Sequence, residues 1–448
     1  MTQISNRFIR INPRYPCHLR SKLSNKMPKI LRILNRFNLG GPMHNAAYLS
    51  KYLPEEYTTI LVGGEKDESE SDSEFLLQQM NIPYTLLPSM KRSIGIFGDI
   101  AAWRAIVKII RQEKPDIVHT HAAKAGALGR LAAWYCGVPI IVHTFHGHVF
   151  HSYFGKTKTK IFILIERFLA RLSTAIVAIS ETQKHDLGTV YKICKPEKIH
   201  VIPLGFDLRK FTENQDEKRA NFRQQYQLSA SFLRRQERQS PRRSQSPDKQ
   251  KCFSEEIPAF AGMTGFLEDI IAIGIIGRLA PIKNHKLFID AIHNCAQKTS
   301  QPIRAFIIGD GEERQNLENH CKSLGISEQL ITFTSWIHDI DRAVSGLDII
   351  CLTSFNEGTP VSLIEAQAAG KPIVSTNVGG IQDIVVENKT ALLSSLDTEE
   401  FSEKLLSLIN NENLRKTMAQ ESQNHSIQQF SYQRLCNDMD RLYKKLTS

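Results

Sequence analysis

Nine short runs rich in Ile and Val, separated by stretches of helical spacing, limit what this chain can fold into. The first five are KILRIL (29–34), TTILVGG (58–64), DIVHTH (116–121), PIIVHTF (139–145) and TAIVAIS (174–180). The other four are DIIAIGIIG (269–277), RAFIIGD (304–310), DIICLTS (348–354) and PIVSTNV (372–378). A strand with one face in water alternates apolar and polar residues. Many of these runs are continuously apolar, as parallel strands buried on both faces are. Helical stretches lie between them, so the βαβ unit recurs in two sets. The pattern predicts an α/β protein with two doubly wound, Rossmann-like parallel-sheet domains facing across a cleft. Such sheets bind ligands beyond the carboxyl ends of their strands, which places the expected site in that cleft.

The chain has 448 residues, 41% hydrophobic and 23% charged, enough for two sizeable cores. KIHVIPLGFD, residues 198–207, closes the first set. The predicted division is 28–203 for the first domain and 204–430 for the second, with 431–448 as a terminal helix returning to the first. Residues 1–27 hold six basic and no acidic side chains and read as a basic, disordered extension; Met27 is an alternative start. Residues 229–265 are rich in Arg, Ser, Gln and Pro and interrupt the second set. Such composition buries too little apolar surface to order itself. It resembles a mobile-repeat insertion translated in frame, and a surface loop is expected; a regulatory or partner-binding loop is the other reading.

The net charge of +11 suggests nucleic acid, but its distribution argues otherwise. The two odd segments carry +6 and +3, leaving +2 for the rest. A nucleic-acid footprint clusters on a structured element, so no nucleic-acid partner is expected. No apolar run reaches the ~20 residues needed to span a bilayer, and the N-terminus has no secretory apolar core. The eight cysteines are scattered with no CxxC pair, which fits free thiols in a reducing compartment. A cytoplasmic location is expected.

The stretch FNEGTPVSLIEAQAAGKP, 355–372, carries two acids eight positions apart, Glu357 and Glu365. Glu357 is expected in the turn after a buried strand, Thr359 as a helix cap and Pro360 at the first helical position. Free N–H groups at that turn make an anion site. A phosphate held there, with carboxylates near to accept from hydroxyls, suits a nucleotide sugar. Taken alone, the two acids fit solvated helix-end charges as well. Arg278 and Lys283, in GRLAPIKNH (277–285), stand where they can neutralise a pyrophosphate. Gly309 and Gly311, in GDGEE (309–313), permit close backbone approach, as do Gly40 and Gly41 in NRFNLGGP (35–42).

His119, His121, His143, His146, His148 and His151 cluster near two strand ends. Without HExxH or cysteine support they are not read as a zinc site. The DxD strings Asp339–Asp341 and Asp438–Asp440 read as helix charges. With the Arg/Lys pair and a helix terminus supplying counter-charge, no metal and no cofactor is expected.

In this order, NLGGP, GRLAPIKNH, GDGEERQNLE and the E-x7-E of FNEGTPVSLIE resemble the family 4 glycosyltransferases, retaining enzymes of the GT-B architecture. The likeness runs over about 28–228 and 266–430. It implies an NDP-sugar donor held mainly by the second domain, with Arg278 and Lys283 at the diphosphate. It implies Glu357 at the sugar hydroxyls, Glu365 at the ribose hydroxyls, and the backbone of Gly358, Thr359, Pro360 and Val361 near phosphate and sugar. Thr144 to Gly147 resembles the family position where a histidine faces the sugar, which marks His146; His119 is a lesser candidate that orients the loop. Transfer to a saccharide or lipid-linked acceptor follows, in polysaccharide or glycolipid synthesis. An NDP-sugar epimerase or phosphorylase on the same architecture, or a degenerate binding protein, are the competing readings. Two basic and apolar segments, 89–111 and 153–172, read either as helices packed on the sheet or as peripheral contacts with the inner membrane face.

Overall fold

Every strand pair among the described residues is parallel. The computed structural model describes residues 27–37, 41–65, 74–91, 95–147, 156–228 and 270–448, with side chains from 159 onward in the helix that begins at 156. The basic extension up to residue 26, Gly40, His148, His151 and the 229–265 insertion lie outside the described residues. The described chain forms two units, one running to Gly205 and including Tyr432–Ser448, the other Phe206–Ser431.

In the first unit the strands are β1 (Lys29–Arg36), β2 (Thr58–Gly64), β3 (Tyr84–Leu86), β4 (Ile117–His121), β5 (Ile140–Thr144), β6 (Ala175–Ala178) and β7 (Ile199–Val201). They lie in the order β3-β2-β1-β4-β5-β6-β7. In the second unit β8 (Ile271–Ile276), β9 (Ile303–Ile308), β10 (Ile331–Ser335), β11 (Ile349–Leu352), β12 (Ile373–Thr376) and β13 (Ala391–Ser394) lie in the order β10-β9-β8-β11-β12-β13. Both are doubly wound sheets. The strands β4, β5, β6, β11 and β12 are buried throughout; β6 and β11 are wholly apolar, whereas β4, β5 and β12 begin apolar and bury polar residues toward their carboxyl ends.

The terminal helix, Tyr432–Thr447, belongs to the first unit. Leu435, Met439 and Leu442 recur at helical spacing and pack with Ile30, Ile117 and Val142 on one face of the sheet. Tyr443 joins them and carries a polar tip. Its hydroxyl lies 2.7 Å from His119 Nδ1 and accepts from Arg32 Nη1 at 3.1 Å. Arg32 is fully buried inside β1 and reaches His119 at 3.0 Å as well. A second buried cation, Arg130, forms a two-pronged bond with Glu166 at 3.0 and 2.7 Å. That pair ties the helix Lys156–Leu172 to the helix Ala123–Tyr135. The six cysteines among the described residues are all unpaired.

Candidate active site

In the second sheet β8 and β11 are neighbours, but the chain leaves them toward opposite edges. Their following loops therefore diverge and open a crevice at this switch point. After β8 the chain makes a tight turn at Pro281–Lys283. After β11 it runs without regular structure from Thr353 to Pro360, bending at Phe355 and Gly358. The loops are stitched together. Thr353 Oγ1 donates to the carbonyls of Lys283 and Asn284 at 3.1 and 2.9 Å, and Phe355 N–H donates to Ile282 O at 2.9 Å.

This backbone brings Lys283 and Glu357 together. Lys283 Nζ lies 2.5 Å from Glu357 Oε1, and Ser354 Oγ donates to the same oxygen at 2.6 Å. The Glu357 side chain is 10% exposed and that of Lys283 25%. A charge pair this withdrawn from bulk water is stronger than a surface pair, and its ammonium keeps two further N–H donors. Arg278, on the same loop as Lys283, is 65% exposed and stands 3.7 Å from Glu312. Its guanidinium is therefore open to an approaching anion.

The turn after β12 locks the Glu357 backbone. Gly380 N–H donates to Glu357 O at 3.0 Å. Gly379 has φ +55, and a Cβ on Gly379 or Gly380 would fall on the carbonyl oxygens of Glu357 and Gly358. Beside Gly358 itself there is open space. The helix Val361–Ala368 begins there.

In the first unit the histidines lie at the ends of β4 and β5. His121 Nδ1 and His146 Nε2 are 2.8 Å apart. Burial pushes His146 down to about 3, so its imidazole is neutral near pH 7. His146 Nδ1 is buried without a partner. His119, flanked by Tyr443 and Arg32, is also bonded through Nε2 to Thr144 Oγ1 at 2.7 Å. His143 lies 2.8 Å from Thr120 Oγ1. All three fully buried histidines are held well below their ordinary pKa, chiefly by desolvation. Among the described residues no three His, Cys, Asp or Glu are gathered as a metal set.

Residues 40–210 match the family model described as Glycosyltransferase Family 4, and residues 264–425 match Glycosyl transferases group 1. This chain is a family 4 glycosyltransferase. The enzyme is 26% identical over 359 residues to the Escherichia coli UDP-Gal:alpha-D-GlcNAc-diphosphoundecaprenol alpha-1,3-galactosyltransferase, covering 80% of this chain and 82% of that one. It is 25% identical to the capsular polysaccharide biosynthesis glycosyltransferase CapM of Staphylococcus aureus, covering 83% and 88%. Anabaena HepE, solved in complex with UDP, shares its fold with a TM-score of 0.71 at 19% identity, covering 93% of this chain and 100% of that one. The two parallel-sheet units are those of a GT-B glycosyltransferase.

Several residues expected at the glycosyltransferase's donor site take places that pattern alone did not specify. Thr359 does not cap the helix: Pro360 occupies the cap position at φ −70 and ψ 103, and no side chain caps it. The extended ψ of Pro360 keeps that residue out of the helix, which therefore starts one residue later than expected, at Val361. Gly309 and Gly311 serve the protein's own backbone. Gly309 has φ +145, and a Cβ there would strike Gly277 O; one on Gly311 would strike Leu279 O. Gly41 is the first residue of the helix Gly41–Tyr52, where a Cβ would meet the Leu204 side chain at 3.4 Å.

Glu365 shares no hydrogen bond or ion pair with Glu357. Burial raises its carboxyl to about 7, opposed by Lys210 and reinforced by Asp341. In the DxD strings, Asp341 pairs with Lys218 at 2.9 Å. Asp438 pairs with Arg434 and Asp440 with Lys444. Ser354, Gly379, Gly380, His121 and Arg32 carry no role that motif or spacing marks. The Gly-Gly at 379–380, one turn beyond a predicted strand, was the available signal for the clamp on Glu357.

Proposed function

We propose that this glycosyltransferase moves a hexosyl or N-acetylhexosaminyl unit from a UDP-sugar to a saccharide or lipid-linked acceptor, with retention of configuration, in cell-surface polysaccharide or glycolipid synthesis. The observation that carries the reading is the Lys283–Glu357 pair at the switch point of the second sheet. Lys283 and the exposed guanidinium of Arg278 supply positive charge where a diphosphate leaves. Glu357 accepts from sugar hydroxyls and Glu365 from ribose hydroxyls. Gly358 leaves room for a phosphate beside the first N–H groups of the helix, with Thr359, Pro360 and Val361 lining it. The same charges make a divalent cation unnecessary. UDP is favoured over GDP because the E. coli relative is named for UDP-Gal and HepE was solved with UDP. His146, neutral and with one ring nitrogen unsatisfied, is suited to meet a sugar hydroxyl.

A lipid-linked acceptor requires approach to a membrane. No described helix is long and apolar enough to cross one. The helix Lys156–Leu172 is instead suited to lie on one. Ile161, Leu164, Ile165 and Phe168 are 53, 62, 43 and 49% exposed and fall on one helical stripe. The helix's one acid, Glu166, is turned inward to Arg130. Lys160 and Arg171 are exposed. An outward apolar stripe with flanking cations fits an anionic interface, at the inner face of the membrane.

The test incubates the protein with UDP- and GDP-sugars, with and without a sugar-diphospholipid acceptor. UDP release in proportion to glycoside, an α-product from an α-donor by NMR, and full activity in EDTA are expected. Release of nucleotide or epimerised donor without acceptor dependence would end this reading. Vesicle flotation checks the membrane contact: Leu164→Ser with Phe168→Ser should detach the protein from anionic vesicles, and wild-type protein that never floats refutes it.

A further inference from the structure

We propose that the amino-terminal edge of the second unit's sheet holds a second anion site, built for a small phosphomonoester and separate from the donor crevice. A cavity of about 470 Å³ opens there, beneath the starts of β8, β11 and β12. The donor loops sit at the other end of these strands, roughly 17 Å away along β8. Its walls carry Arg219, Arg223, Lys371, Arg415 and Lys416 against two acids, Asp348 and Glu412.

The acids do not balance the cations. Asp348 takes both Arg219 at 2.7 Å and Arg223 at 3.1 Å. Glu412 is on the rim and pairs with Lys416 at 2.7 Å. Among the described residues Lys371 and Arg415 have carbonyl partners only: Lys371 Nζ donates to Ser345 O at 2.8 Å, and Arg415 Nη1 to Leu408 O and Ile409 O. Lys371 is only 8% exposed, and two of its three N–H donors find no acceptor among the described residues. Burying an ammonium beside two guanidiniums is costly unless a counter-anion shares the space.

The charge environment leaves a signature. Burial, then Arg219, pushes Lys371 down to about 7; Asp348 opposes and Arg223 adds to the fall. An anion in the cavity favours the protonated form. Binding above neutral pH therefore takes up a proton, and affinity falls as pH rises through that range. The volume exceeds what one phosphate group fills, which favours a phosphomonoester with a small polar body.

Calorimetry at constant ionic strength tests this, with sulfate, inorganic phosphate and a sugar monophosphate as probes. Lys283→Ala is included so that anion binding in the donor crevice is separated out; that control is the one link to the proposed function. Millimolar or tighter binding should survive Lys283→Ala and weaken at least about tenfold in Lys371→Met. Sulfate, whose charge is constant across neutral pH, should bind with proton uptake at pH 8, and that uptake should vanish in Lys371→Met. The exposed variant Lys416→Glu serves if Lys371→Met fails to fold. A sugar monophosphate binding more tightly than inorganic phosphate supports the monoester. Equal affinity, binding abolished by Lys283→Ala alone, or no binding to any probe overturns the proposal.

Discussion

Lys283 and Glu357 lie 74 positions apart in sequence, yet Nζ and Oε1 meet at 2.5 Å. Each stands on the loop of a different strand, and only the adjacency of β8 and β11 brings them together. Removing either charge leaves the other partly buried and unpaired. Lys283→Ala and Glu357→Ala should each lower kcat for sugar transfer by about 10²–10³-fold, as loss of a transition-state donor does. The double variant should lose much less than the product of the two, because both act through one contact. Strict multiplicativity in steady-state kinetics would show that the residues work independently.

Glu365 gives a pH signature. Its carboxyl is raised from an ordinary value of 4.5 to about 7 by burial. The folded state thus holds this proton more tightly than the unfolded chain does. The contribution to stability is full below the unfolded value and is lost as pH rises toward the folded one. Glu365→Gln removes the slope. Thermal melts of the variant and the wild type should converge near pH 4.5 and separate by about pH 8, with the variant the more stable there. Parallel curves would contradict the raised carboxyl.

The buried Arg130–Glu166 pair is predicted to cost more when half removed than when replaced. Glu166→Ala leaves a guanidinium with 0% side-chain exposure unpaired and should destabilise by about 3–5 kcal/mol in urea denaturation. Arg130→Met with Glu166→Leu should recover most of that loss.

Two glycines separate folding from binding. Gly309→Ala places a Cβ on Gly277 O at φ +145 and should cost about 2–4 kcal/mol. Gly358→Ala meets nothing in the protein, so its stability should change by less than about 0.5 kcal/mol. If a phosphate approaches there, UDP affinity should nevertheless fall. Unchanged UDP affinity in Gly358→Ala would place the phosphate elsewhere.

Much of the fold was legible because buried parallel strands impose their own composition. IVHTH, IIVHT, IAIGII and IICL are strands whose neighbours on both sides exclude water. The strands absent from the nine runs are β3, β7, β10 and β13, all at sheet edges, with β7 marked only by the segment that closes the first set. YTL and ITFTS carry polar residues at alternate positions, and ALLS is only four residues long, so none gives a continuous apolar signal. The candidate site was legible as residue types after strand ends: Arg278, Lys283 and Glu357 all follow β-runs.

By itself, then, the sequence determined two sets of βαβ units and which loops carry charge, because solvent exclusion and helical spacing act locally. Tertiary structure decided the pairings. It put Lys283 against Glu357 and Gly379 beneath the Glu357 carbonyl. It held His121 to His146 and set Gly309 against the Gly277 carbonyl. It also buried Arg32 in β1, where the hydroxyl of Tyr443, 411 residues later, gives it an acceptor. Such contacts depend on strand order, which no local pattern encodes: neighbours in a sheet are set by how distant segments pack, not by how far apart they lie along the chain.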